Sequence, residues 1–193
     1  MSEKLNQYIE KLVETFKGQR TEFAGEAIVI LAPEHIQAAA KLIHDEFGFE
    51  LLSCVTAVDY WPDENPRFHV IYRFTAVEQR LSLNVRVPVP GLSPAVPTVE
   101  KVYRNANWHE REVFDMFGIK FEGHSDLRRI LMPADWEGYP QRKDYPLGYE
   151  EPQYSFNFDE IAARKPRARK PARAAKAKTQ GKAKTSSRRR KAA

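Results

Sequence analysis

Two neighbouring stretches alternate with a period of two, and this restricts the fold more than any other feature of the chain. Phe68, Val70, Tyr72 and Phe74 interleave with His69, Ile71, Arg73 and Thr75. A few residues on, Leu81, Leu83, Val85 and Val87 interleave with Arg80, Ser82, Asn84 and Arg86. Successive strand side chains point to opposite faces, so each stretch has one apolar and one polar face, as in an antiparallel sheet covered on one side only. Residues 50 to 60 are mostly apolar, which predicts a third, central strand, and residues 26 to 32, EAIVILA, read as a shorter one.

Helices supply the cover. Leu5, Tyr8, Ile9, Leu12, Val13 and Phe16 form a helical stripe ended by Gly18. Residues 33 to 47 place Ile36, Ala40, Ile43 and Phe47 on one side of a second helix before Gly48. Two helices on one side of an antiparallel sheet make a two-layer α+β domain. Pro88, Pro90, Pro94 and Pro97 then end the sheet and lead into a helix over about residues 98 to 103.

The segment that follows is dense in acids, bases and aromatics. Asn107 can cap a helix whose third position is Glu110, in the manner of a capping box, and Gly118 can close it in a left-handed conformation. Val113, Phe114, Met116 and Phe117 form one apolar arc, and Glu110 falls inside it. A carboxylate there needs a partner, for which the candidates are the helix N-terminus or Arg128, Arg129 or Arg142 folding back. Arg111 and Asp115, four apart on the other face, can pair with each other and so do not obviously rescue Glu110.

Beyond Gly118 periodicity disappears. Residues 119 to 158 carry Pro133, Pro140, Pro146 and Pro152 with Trp136, Tyr139, Tyr145, Tyr149, Tyr154, Phe156 and Phe158. That is too aromatic for a disordered segment and too long for a structureless loop, so its apolar surface is covered either by the chain's own body or, the favoured reading, by a partner. The chain thus divides into a domain over 1–118, an extended partner-binding arm over 119–160 and a disordered Lys/Arg/Ala-rich tail over 161–193.

Chemistry is sparse. Cys54 is the single cysteine, which excludes an internal disulfide, a CxxC pair and a cysteine-bound iron–sulfur cluster, and its apolar setting predicts a buried inert thiol. His109-Glu110 and His124-x-Asp126 are the nearest approach to metal ligands, but neither has a second imidazole or thiolate at helical spacing. His124 is better read as ordering the turn after the helix. Asp59, Asp63 and Glu64 around Trp61-Pro62 read as a solvated hairpin turn rather than a cation site. No phosphate-binding glycine loop occurs. Catalytic, cofactor-binding and metal residues are therefore expected to be absent. The first residues hold acids rather than a continuous apolar region, and no run reaches the ~18 apolar residues of a spanning helix, which predicts a soluble cytosolic chain.

The net charge of +5 conceals a segregation: residues 161 to 193 hold 14 of the 31 Lys and Arg and no acid, leaving a net charge of −9 on residues 1 to 160. Such a tail suggests a nucleic-acid-binding protein as the competing class. The acidic body and the lack of a tail aromatic to stack on bases count against specific recognition, and the tail could instead lie on anionic lipid or fold onto acidic partners. By contrast Arg111, Glu112, Asp115, Arg128 and Arg129 crowd with Phe114, Phe117, Phe121 and Trp136, a composition typical of protein interfaces.

Six spaced elements of the same segment resemble a known family. These are Glu110-Arg111-Glu112, Asp115-Met116-Phe117, His124, Arg128 before Ile130-Leu131, Asp135-Trp136-Glu137-Gly138, and Arg142-Lys143-Asp144-Tyr145-Pro146-Leu147. Together they look like the signature of the 30 kDa subunits of respiratory complex I, which in bacteria are the subunits C of NADH-quinone oxidoreductases. The general resemblance runs from about residue 25 to 150. The resemblance implies a scaffold subunit in the peripheral arm of a proton-pumping NADH-quinone oxidoreductase. It implies packing against the 49 kDa subunit, the main partner among subunits D, B and I, at the cytoplasmic side of the cell membrane. FMN and the iron–sulfur clusters that carry electrons to quinone would lie in partner chains. It marks Glu110, Arg111, Glu112, Asp115, Phe117, His124, Arg128, Arg129, Trp136, Tyr139, Arg142, Asp144 and Tyr145 as the signature and partner-interface residues. A related hydrogenase or other donor-dehydrogenase complex with a homologous subunit is the alternative.

Overall fold

The computed structural model describes residues 3–146. Leu147, the rest of the expected arm and the basic tail lie outside the described residues. Helix α1 (Glu3–Phe16) precedes an antiparallel hairpin of β1 (Gln19–Phe23) and β2 (Glu26–Ile30). A 3-10 turn (Pro33–His35) leads into α2 (Ile36–Asp45), and β3 (Leu51–Asp59), β4 (Phe68–Ala76) and β5 (Leu81–Val89) follow. The sheet order is β1-β2-β5-β4-β3, antiparallel throughout except that β2 runs parallel to β5. A second sheet pairs β6 (Ala95–Pro97) in parallel with β7 (Lys120–Glu122), and α3 (Ala106–Phe117) lies between them in sequence.

The alternation in β4 and β5 has the consequence it implies. Phe68, Val70, Tyr72, Phe74, Leu83, Val85 and Val87 are buried in one core with Ile9 and Leu12 of α1, Ile36 and Ile43 of α2, and Val113 of α3. At about 25 cal/mol per Å² of apolar surface, burying each large aliphatic or aromatic side chain contributes about 1.5–3 kcal/mol, which makes this face the main stabilising layer. All the α-helices among the described residues join that core, so the fold is the expected α+β domain with helices on one face.

Several expectations are corrected. Residues 98 to 103 form a turn and no helix: the amides of Val102 and Tyr103 both donate to the Val99 carbonyl, while Thr98 Oγ1 takes the Glu100 N–H. Six residues are too few to repay helix nucleation when a side chain offers the backbone another bond. The third strand, β3, is an edge strand; its apolar residues pack against α3 in addition to β4. Its thiol Cys54 is half-buried, and burial first, with nearby Glu112, raises its pKa. Strand β1 has no apolar alternation and is exposed along its whole length, so periodicity could not reveal it. Its turn is visible only in hindsight: Ala24 and Gly25 both have positive φ, the two-residue hairpin geometry that matches strand twist. Pro88 lies within β5 rather than ending it, because β2 has already stopped at Ile30, opposite Arg86, and the missing N–H costs no ladder bond.

Candidate partner-binding site

The signature segment is built on α3. Its N-cap is Asn105, with no side-chain capping bond, and the expected Asn107 cap does not form. Asn107 Nδ2 instead donates to Glu100 Oε1 at 2.8 Å and to Ser125 Oγ at 3.3 Å. At the other end Gly118 is left-handed with φ 72°, and its N–H closes on the Phe114 carbonyl at 2.8 Å.

Glu110 is fully buried, and among the described residues no arginine bonds to it. Its Oε2 accepts from Thr98 Oγ1 at 2.5 Å and its Oε1 from the Val99 N–H at 2.9 Å, so it ties α3 to the turn after β6. His124 Nε2 lies 4.0 Å away. The Asp126 N–H donates to His124 Nδ1 at 3.0 Å, which fixes the ring's proton on Nε2, where it faces the Asn107 carbonyl at 3.2 Å. His124 thereby orders the turn after β7. Burial, opposed by the two donors, pushes the Glu110 carboxyl up to about 7. Nearby Glu100 is held down at about 2 by Ser125, through its hydroxyl and its amide, and by Asn107.

Asp115 is the second buried acid, and Arg111, which could pair with it from four residues away, bonds elsewhere. Asp115 Oδ2 accepts the successive backbone N–H groups of Ile130, Leu131 and Met132 at 3.0, 2.8 and 2.9 Å, and Oδ1 accepts from Arg129 Nη1 at 2.6 Å. Burial raises this carboxyl, but those donors outweigh it and hold it below the usual range. Arg111 donates through Nε to the Arg128 carbonyl at 3.1 Å and lies over the Trp108 ring at 5.0 Å. A solvated pair four residues apart contributes only a few tenths of a kcal/mol, whereas charge-assisted bonds in a partly buried site are worth more, which is why these contacts win.

The residues after β7 complete a wrap around the body. Arg129 also donates to the carbonyls of Trp136 and Gly138 and lies over Tyr139. Arg142 donates to the Phe117 carbonyl at 2.5 Å and sits over Phe68 and Tyr139. Burial, then the Arg67 charge, lowers its pKa. Phe117 meets Phe68 edge-on at 6.5 Å, and Tyr139 meets Phe114 likewise at 6.3 Å. Tyr145 packs against Gly138, which has φ 89°.

The wrap is pinned at Asp59, in a stretch whose composition is that of a solvated turn. Asp59 is buried and receives a fork from Arg67, Nε to Oδ1 and Nη2 to Oδ2, each at 3.0 Å. The same Arg67 Nη2 reaches Asp144 at 2.6 Å, and the Lys143 N–H donates to Asp59 at 2.9 Å. Asp59, Arg67, Thr98 and Glu100 thus belong to the site although sequence reasoning passed over their roles. The available signal was strand register, since Asp59 and Phe68 are paired across the β3–β4 hairpin.

Residues 119 to 145 thus rest on the chain's own body through Ile119 and Phe121, which are buried, and through half-buried Arg129, Tyr139 and Arg142, while most of the other residues of the stretch are exposed. The outward surface includes large apolar and charged side chains. Trp108 is 60% and Leu131 61% exposed, the Arg128 side chain is 73% exposed beside Asp126, and Glu112 is also exposed. Among the described residues no group of His, Cys, Asp and Glu could hold a metal ion, and no helix is long and apolar enough to cross a membrane.

Residues 29–151 match the family described as the 30 kDa subunit of respiratory-chain NADH dehydrogenase. The NADH-quinone oxidoreductase subunits C of Roseiflexus sp. (strain RS-1) and Roseiflexus castenholzii (strain DSM 13941 / HLO8) are 46% identical over 150 residues and 45% over 151. Each match covers 77% of this chain and 86% of the relative. A solved structure of Nqo5, a trypsin-resistant fragment, superposes with a TM-score of 0.57 at 32% identity, covering 64% of this chain and 99% of the fragment. A chain of the membrane-bound sulfane sulfur reductase, an archaeal respiratory membrane complex, gives 0.64 at 26% identity, covering 75% of this chain and 87% of that one. The chain belongs to the respiratory-chain NADH dehydrogenase 30 kDa subunit family.

Proposed function

We propose that the chain is a scaffold subunit of the peripheral arm of a proton-pumping NADH-quinone oxidoreductase and carries no catalytic group of its own. The observation that carries this reading is the use made of the signature charges. Glu110, Asp115, Arg111, Arg129 and Arg142 are spent on bonds that fasten α3 to residues 98–142, which is the work of a rigid frame rather than of a reaction site. Membership of the family supplies the complex. The frame presents Trp108, Leu131 and Arg128 outward, and large aromatic and Arg side chains are the usual anchors of protein interfaces. The 49 kDa subunit is the partner proposed for this surface and for the residues beyond 146, with subunits B and I as neighbours. FMN and the iron–sulfur clusters reside in partner subunits, and the complex holds the chain at the cytoplasmic face of the cell membrane.

The likeness to a subunit of the sulfane sulfur reductase favours a second reading, in which the host complex is a relative that takes electrons from another donor. The test is to isolate the chain from solubilised membranes with its associated subunits. Co-fractionation with NADH-driven quinone reduction supports the first reading, and co-fractionation with a complex inert to NADH supports the second. Flavin, stoichiometric iron or NADH-quinone turnover in the purified chain alone would refute the scaffold role.

A further inference from the structure

The face of the five-stranded sheet opposite the helices is unused by everything described above. Register sets Arg86 at its centre, with Ile30 of β2 and Ile71 of β4 as its cross-strand neighbours. Ile28 lies two residues from Ile30, and His69 two from Ile71, paired with Val58 of edge strand β3. Ile28, Ile30, Ile71, Val58, His69 and Arg86 are all half-buried.

Two cations on this face are treated differently. Arg73 is matched within the sheet, with Nη2 at 3.1 Å from Glu26 Oε1, and Glu26 also takes Asn84 at 2.7 Å. Arg86 has no acid partner among the described residues, and its Nε is shielded from solvent with nothing to receive its proton. His69 Nδ1 is shielded and unpartnered in the same way. Burial first, and then the Arg86 charge, lower the His69 pKa, so the imidazole leaves the guanidinium uncompensated. Buried donors in folded proteins almost always find an acceptor, and a guanidinium set among isoleucines is matched best by a carboxylate.

We propose that this sheet face is a docking surface for an acidic segment of another protein, one that sets an Asp or Glu carboxylate against Arg86 and aliphatic side chains against Ile28, Ile30 and Ile71. The isoleucines exclude a bare anion as the whole occupant, because they offer it nothing but desolvation. A second copy of this chain docked by twofold symmetry would bring the same Arg86-centred patch against itself, a like-charge contact. The proposal rests on membership of a multisubunit complex, since such a partner must be at hand.

The experiment places the photo-crosslinker p-benzoylphenylalanine at Ile71 of the full chain, expressed in its host, and irradiates the isolated membrane complex. The control probe is at Lys41, exposed on α2. The expected product joins position 71, but not 41, to a peptide of a different subunit that carries Asp or Glu within a few residues of the adduct. Arg86→Glu lowers the adduct yield on the order of tenfold or more, Arg86→Gln lowers it less, and an Asp/Glu→Arg change in the captured peptide restores it with Arg86→Glu. Circular dichroism of the purified variants checks that both fold. A complex that retains the chain but gives no adduct from position 71 overturns the proposal. So does an adduct to residues 147–193 of the same chain, an adduct to a second copy, or a yield indifferent to Arg86→Glu. Absence of the chain from the membrane complex refutes instead the function proposed above. The same probe and charge exchange on the chain's actual partner then decide the docking proposal separately.

Discussion

Asp115→Ala isolates the contribution of one carboxylate to the whole wrap. It removes the acceptor of three consecutive backbone N–H groups, those of Ile130, Leu131 and Met132, and the partner of Arg129. Asp115 is fully buried, and the Arg129 side chain is only 16% exposed, so the arginine charge is left without compensation in a poorly solvated place. Breaking a buried pair from one side costs about 3–5 kcal/mol. The freed amides recover part of their bonding from water, because residues 130–132 lie near the surface, so the expected loss stays near ~4 kcal/mol rather than growing with each orphaned donor. With an m-value of about 2 kcal/mol/M the urea midpoint should fall by about 2 M. Asp115→Asn, which keeps an acceptor but not the charge, should lose about half as much. The assay is urea unfolding followed by circular dichroism, with Arg129→Met and the double variant closing a cycle that shows a coupling of about 1–3 kcal/mol. The pH dependence has a definite sign. A carboxyl held below its unfolded value stabilises the fold above about pH 4, and that contribution is lost as pH falls through the lower native pKa. An Asp115→Ala loss under about 1 kcal/mol, or additive single variants, would refute the claim that this carboxylate anchors residues 128–132.

Glu110 titrates in the opposite sense: with a native pKa of about 7, it binds its proton more tightly folded than unfolded, so stability falls by about 3 kcal/mol as pH rises from about 4.5 to 7. Glu110→Gln should flatten that slope in urea titrations, and an unchanged slope would show that another group carries it. Arg67→Ala strands buried Asp59 and releases Asp144, for an expected loss of about 3–5 kcal/mol and new tryptic cleavage at Arg142 and Lys143; continued resistance there would mean that the wrap does not depend on this pin. Gly118→Ala puts a Cβ at φ 72° against the Tyr139 ring and Arg142, and thermal unfolding should show a loss of about 2–3 kcal/mol. A neutral effect would place Tyr139 away from the helix end.

Strands β4 and β5, helices α1 and α2 and the Gly118 stop follow from the sequence because each rests on a local rule. Period two, period 3.6 and the freedom of glycine at positive φ act between residues near one another in the chain. The signature motif likewise pointed to the family, since the pattern of residue types lies in the sequence itself. Partner choice among charges does not follow in this way. Arg111 and Asp115 are helix neighbours and yet bond to residues 128–132, and Glu110 looks back to Thr98 rather than forward to an arginine. Asp59 has the composition of a surface turn and becomes the buried pin of a segment 84 residues away. Local sequence places a carboxylate on a helix or a strand. Which donor reaches it depends on where other elements pack and exclude water, because a charge bond is strong only where solvent cannot compete, and that was decided by the tertiary structure alone.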